Sequence, residues 1–74
     1  MKVTVRPIGG FIQKLGYSEK TLELPERATA ADLATSLGLG GIPHMVTREG
    51  VVLHAHDPLA DGDRLLVSAL FSGG

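Results

Sequence analysis

The sequence predicts an α+β domain in which a mixed sheet, with strands in ββαββ order, has one helix packed across it. Short segments of alternating apolar and polar residues occur toward both ends of the chain, as strands half-buried on one face require. One segment alone, after Thr29, joins a helix start signal to apolar residues on a single face. The segment Arg64-Leu65-Leu66-Val67-Ser68-Ala69-Leu70 is almost continuously apolar, which suits a central strand buried on both sides.

Val3, Val5 and Ile8 alternate with Lys2, Thr4 and Arg6 in a first strand that stops at Gly9-Gly10. Pro7 places the end of that strand at an edge or a bend. A second strand is expected from about Gln13 to Leu24, with Leu22 and Leu24 on one face and Thr21 and Glu23 on the other. The two should form a hairpin with a long, irregular loop. Phe11, Ile12, Leu15 and Tyr17 are too apolar for a fully solvated connection, so some of them should pack back on the sheet.

Pro25 ends the second strand, and Thr29-Ala30-Ala31-Asp32 offers a capping hydroxyl with an acid three residues later. The helix that follows places Leu33, Ala34 and Leu37 on one face and stops at Gly38 and Gly40-Gly41. Such a short helix does not persist alone and must lie across the sheet. Pro43 to Thr47 and Val51 to Ala55 read as two short strands around Arg48-Glu49-Gly50. Asp61-Gly62-Asp63 then turns the chain into its last, internal strand.

Seventy-four residues allow one small domain. A pocket of about 300 Å³ or more would consume much of its core, so self-contained catalysis is not expected. With no cysteine, disulfides, thiolate metal sites and cysteine nucleophiles are excluded together. Seven basic against eight acidic residues give a net charge of −1, and only Phe11, Tyr17 and Phe71 are aromatic. Neither nucleic acid nor an anionic membrane surface is an expected partner. Met1 to Arg6 runs straight into alternating residues without a signal-peptide stretch, and no transmembrane-length apolar run occurs, so the expected location is cytoplasmic.

The predicted element order is that of the β-grasp, and the motifs within it carry a family likeness. Leu24-Pro25-Glu26-Arg27-Ala28-Thr29-Ala30-Ala31-Asp32-Leu33 is close to an "LP-x-x-A-T-x-x-D-L" helix entry. Pro58-Leu59-Ala60-Asp61-Gly62-Asp63-Arg64-Leu65 is like an "L-x-DGD-x-(L/V)" turn into a last strand, and Phe71-Ser72-Gly73-Gly74 finishes on Gly-Gly. On these three segments, in this order, the chain resembles the MoaD/ThiS small sulfur carriers, relatives of ubiquitin. It departs from them at Val46-Thr47-Arg48-Glu49-Gly50, where they often show Asn. Leu70-Phe71 also stands where a Pro pair often precedes the tail.

The resemblance implies a β-grasp domain over residues 1–70 and a flexible tail over 71–74. It implies that a ThiF/MoeB-like adenylating enzyme activates the Gly74 carboxylate with ATP. Sulfur, from a donor such as a cysteine desulfurase, then replaces AMP. The resulting thiocarboxylate would serve an acceptor synthase, with molybdopterin synthesis favoured over thiamine thiazole synthesis or tRNA thiolation. The chain itself would be a carrier rather than an enzyme and would hold no cofactor or metal. The alternative is a protein modifier joined through Gly74 to lysines, as ubiquitin is.

Gly73 and Gly74 suit a tail that must enter a narrow channel, because they offer no Cβ, and Ser72 would enter with them. Ordering such a tail costs about 1 to 2 kcal/mol per residue, which docking of the globular body must offset. Leu70, Phe71 and exposed residues of the last two strands are the docking candidates, although Phe71 can equally cap the core. Asp61 and Asp63 have too few companions for a Ca²⁺ or Mg²⁺ site and read as turn residues. His44, His54 and His56 depend on register. A three-residue loop puts His44 opposite His54, whereas a two-residue loop at Glu49-Gly50 puts Met45 there. Sheet-face histidines without metal are the expectation, since no acidic partners fixed by sequence accompany them.

Overall fold

The computed structural model describes residues 1–70. Its elements are β1 (Lys2–Pro7), α1 (Gly10–Leu15), β2 (Lys20–Glu23), α2 (Ala30–Ser36), β3 (Met45–Arg48), β4 (Val51–Leu53) and β5 (Arg64–Ser68). They form a mixed five-stranded sheet in the order β2-β1-β5-β3-β4, with β1 and β5 parallel and the other pairs antiparallel. The expected α+β architecture and the central last strand are both present, but β5 is buried on one face only, with Leu65 and Val67 inward and Arg64 exposed, because no described element packs over its other face.

Alternation along the central strands divides the sheet into two faces. Val3 and Val5 of β1, Val46 of β3, and Leu65 and Val67 of β5 are buried against Leu33 and Ala34 of α2. Leu39, Leu24 and Leu59, from the connections, complete this aliphatic core. Removing such side chains from water is the main favourable term in a small domain without disulfides, at about 25 cal/mol per Å² of apolar surface.

Helix α2 begins as its sequence dictates. The Asp32 backbone N–H donates to Thr29 Oγ1 at 3.3 Å, and the Thr29 N–H donates to Asp32 Oδ2 at 2.8 Å. This reciprocal pair is a capping box. Two further free amides of the first turn, those of Ala30 and Ala31, donate to the carbonyls of Asp57 and Ala55. The helix start is thereby tied to the segment after β4.

The expected order and boundaries need correction in the first half of the chain. The connection after β1 contains a second helix, and β2 begins at Lys20 rather than near Gln13. Phe11 and Leu15, four residues apart, turn one side of α1 toward the core, while Gln13 and Lys14 stay exposed. Gly9 at φ 62° and Gly16 at φ 85° bound it. Six residues suffice because Phe11 joins the core and the helix is not required to persist alone. Three strands follow α2, the two short strands and the last strand that the residues predict, although the ββαββ order counts only two.

Pro7 closes β1, which lies inside the sheet. The Ile8 N–H reaches the Val67 carbonyl on the β5 side at 2.8 Å, so the nitrogen of Pro7 faces the β2 side. The β2 register ends at Val5 opposite Lys20, and the missing N–H therefore costs no ladder bond.

Candidate functional site

Strand β5 leads to the tail, and the turn before it fixes where it starts. Gly62 adopts φ 86°, a left-handed conformation that glycine takes without strain. The Lys2 N–H donates to Asp61 Oδ1 at 2.7 Å, and the Gly62 N–H donates back to the Lys2 carbonyl at 2.7 Å. Asp63 Oδ2 accepts from the Ala60 N–H at 2.8 Å and from Arg48 Nη1 at 2.7 Å. Both acids are occupied in the architecture of this turn, as the sequence reading expects.

With Leu65 and Val67 turned inward, Arg64, Leu66 and Ser68 face outward. Register brings Arg6 and Thr47 to either side of Leu66, and sets Met45 beside Ser68. Val52, 46% exposed, extends the strip from Thr47 to the sheet edge. The outer face is thus apolar near its middle, with half-buried Met45 and Leu66, and basic at Arg6 and Arg64. Arg6 is held near Glu19 at 3.6 Å, both side chains being exposed. Polar groups around a small apolar centre are the usual composition of a transient protein interface.

Leu70, one of the expected docking residues, lies two residues past β5 and is 50% exposed. Phe71, Ser72, Gly73 and Gly74, the remaining expected docking and tail residues, lie outside the described residues. The contributions of Leu66, Met45 and Thr47 were not individually legible in the sequence. A run as apolar as Arg64–Leu70 does not reveal which leucine faces out until the register with β3 is known.

The three histidines divide. Arg48 pairs with Val51 around a two-residue turn, with Glu49 at φ 52° and Gly50 at φ 79°, so the register that would oppose His44 to His54 does not form. His54 and His56 lie beyond β4, not on a strand face, with ring centroids 6.4 Å apart. His44 Nδ1 is 2.7 Å from the Ile42 carbonyl, which fixes that ring nitrogen as the donor. Among the described residues, no three His, Cys, Asp or Glu side chains are placed to hold one metal ion. No described helix is long and apolar enough to cross a membrane.

An open groove of about 370 Å³ runs between α2 and the β3–β4 hairpin, lined by Ala30, Ala34, His44, Val46 and Leu53 among others. Of its lining residues His44 is the one with a titratable side chain, Thr35 brings a hydroxyl, and no carboxylate belongs to that lining. The groove lining offers no carboxylate to pair with His44 in an acid–base site.

No family model and no curated protein matches the sequence. Solved structures do match the fold. SAMP1 from Haloferax volcanii superposes with a TM-score of 0.80 at 18% identity, over 100% of both chains. A putative molybdopterin converting factor, subunit 1, from Pyrococcus furiosus gives 0.84 at 23% identity, over 96% of this chain and 99% of that one. A ubiquitin from Caldiarchaeum subterraneum gives 0.68 at 25% identity, over 100% and 98%. The chain therefore has the ubiquitin-like β-grasp fold.

Proposed function

We propose that this β-grasp chain is a sulfur carrier whose reacting group is the Gly74 carboxylate. A ThiF/MoeB-like enzyme would adenylate it with ATP, making AMP the leaving group; the outer sulfur of a persulfide formed by a cysteine desulfurase would displace AMP, and a thiol would then cleave the resulting acyl disulfide, leaving a disulfide and releasing the thiocarboxylate. The acceptor favoured is a molybdopterin synthase, ahead of thiamine thiazole synthesis and tRNA thiolation. In this reading no catalytic side chain is needed on the carrier, and its work is docking and presentation.

The observation that carries this reading is the placement of β5. It is the central strand, fixed at its start by Asp61 and Asp63, and it runs toward the Gly-Gly segment beside an outer face of mixed apolar and basic character. The fold shared with a putative molybdopterin converting factor subunit supports it as well. The test is intact-mass measurement after incubation with ATP, an adenylating enzyme and a sulfur source. A gain of about 16 Da, one oxygen replaced by sulfur, is expected. No gain with any such enzyme would overturn it.

The fold shared with SAMP1 and with a ubiquitin favours a second reading, in which the same activated carboxylate is attacked by a lysine amine. Recovery of Gly74 in isopeptide linkage to other proteins, without thiocarboxylate, would select that reading.

A further inference from the structure

We propose that the β4 edge joins two copies of this chain, antiparallel about a two-fold axis at Val52. The sheet has two edges, and they differ in chemistry. Strand β2 carries Lys20 and Glu23, charges that disfavour edge-to-edge pairing. Strand β4 is Val51-Val52-Leu53, with neither charge nor proline, and Val51 and Val52 are 63% and 46% exposed.

The register says which backbone groups are free. Arg48 and Val51 flank the two-residue turn and exchange their bonds with each other, so the N–H and C=O of Val52 point away from β3. Beyond β4 the edge closes on itself. The His54 N–H donates to Asp57 Oδ2 at 2.7 Å, and the Asp57 N–H donates to the His54 carbonyl at 3.0 Å. Pairing is thereby confined to a short segment centred on Val52.

A second copy fits this segment because its pattern is self-complementary. About the two-fold, Val52 meets Val52 and Val51 meets Leu53, so every apolar side chain of the edge faces an apolar one. At either end the exposed Glu49 carboxylate of one copy comes beside the exposed His54 and His56 rings of the other, a complementary pairing of acid with imidazole. Val51 of the second copy also lands beside Leu53, which walls the groove under α2, and closes the rim of that groove.

The joint sends the two β5 strands apart. Strands β4 and β5 are both antiparallel to β3 and so run in one direction, which the two-fold reverses in the second copy. The two β5 ends therefore leave the paired sheet at opposite ends. The inference is independent of what is done at Gly74.

Sedimentation equilibrium of the full chain from about 10 μM to 1 mM tests it, a range suited to weak association. The mass should climb from one chain toward two. Val52→Lys, which sets two ammonium groups face to face, should weaken pairing more than tenfold, and Thr21→Lys on the β2 edge should leave it unchanged. Hydrogen exchange on the unmodified chain gives a second measurement: the Val52 amide should slow with concentration and the Thr21 amide should not. A single chain at all concentrations overturns the proposal and leaves the edge to a strand of another protein. So does a dimer indifferent to Val52→Lys, or one equally lost with Thr21→Lys.

Discussion

Arg48 Nη1 donates to Asp63 Oδ2 at 2.7 Å, joining the β3–β4 hairpin to the turn that launches β5. Asp63 is the more buried partner, and the same oxygen accepts the Ala60 N–H, so the two ends of the ion pair are not equivalent. Asp63→Ala should destabilise the domain by about 2 to 3 kcal/mol, because it removes the ion pair, leaving Arg48 Nη1 only its 3.4 Å bond to the Pro58 carbonyl, and strips the Ala60 amide of its acceptor. Arg48→Ala should cost about 1 kcal/mol, since the Ala60 bond survives. Urea unfolding of both variants checks the inequality; equal losses would mean that the turn does not depend on the second bond.

At the start of α2, Thr29 and Asp32 act as one unit. Thr29→Ala should cost about 1 kcal/mol and Asp32→Ala a similar amount. The double variant should lose less than their sum, because either change alone already breaks the reciprocal pair. Thermal unfolding of the three variants measures the coupling, and strict additivity would contradict it.

Tyr17 carries a buried hydroxyl with no hydrogen-bond partner among the described residues. Lys20 Nζ stands 5.3 Å from its ring centroid, a cation–π contact that needs the ring but not the hydroxyl. Burial raises the phenol above its usual 10.0. The stability this group contributes is complete below pH 10.0; above it the unfolded chain loses the proton first, and stability falls until the higher folded value is passed. Tyr17→Phe should therefore gain up to about 1 kcal/mol near neutral pH and should flatten the alkaline fall. A loss of stability at pH 7 would show that the hydroxyl is paired.

How much of this was legible in the sequence follows from how local each signal is. The start of α2 is written in four consecutive residues, Thr29 to Asp32, and the structure reproduces it. The turn at Asp61-Gly62-Asp63 is equally local, although its bonds to Lys2 and Arg48 are not. Helix α1 escaped because Phe11 and Leu15 fit strand alternation as well as a helical spacing, and Gly9-Gly10 reads as a stop whichever follows. The make-up of the outer sheet face escaped in part because it is assembled by register: Leu66 between Arg6 and Thr47 is a relationship among three strands. The tail was read from its residue types alone.

The β3–β4 turn holds both central residues at positive φ, a conformation natural to Gly50 and strained for Glu49. Asn tolerates that region better than Glu does, so Glu49→Asn should stabilise the hairpin by about 0.5 to 1 kcal/mol without moving the register. A rise in the urea midpoint at constant slope would meet the expectation. A change of slope would indicate a different native state instead.

The proposed activation at Gly74 requires that the partner seat on the body of the domain, and Leu66 is the outward apolar residue nearest the middle of the face beside β5. Leu66→Glu places a carboxylate beside Arg6 and two residues along β5 from Arg64, either of which can pair with it, so the fold should lose no more than about 1 kcal/mol. The same carboxylate would have to be desolvated under a docked enzyme. Loss of an interface anchor at that level, about 2 kcal/mol, corresponds to roughly 30-fold in the kcat/KM for adenylation. Lys14→Glu, on the exposed side of α1, carries a larger charge change away from that face and should leave the rate unaltered. ATP–pyrophosphate exchange with saturating ATP and varied carrier reads both. Equal rates for the two variants would remove the outer sheet face from the docking surface and leave the tail as the whole of what is recognised.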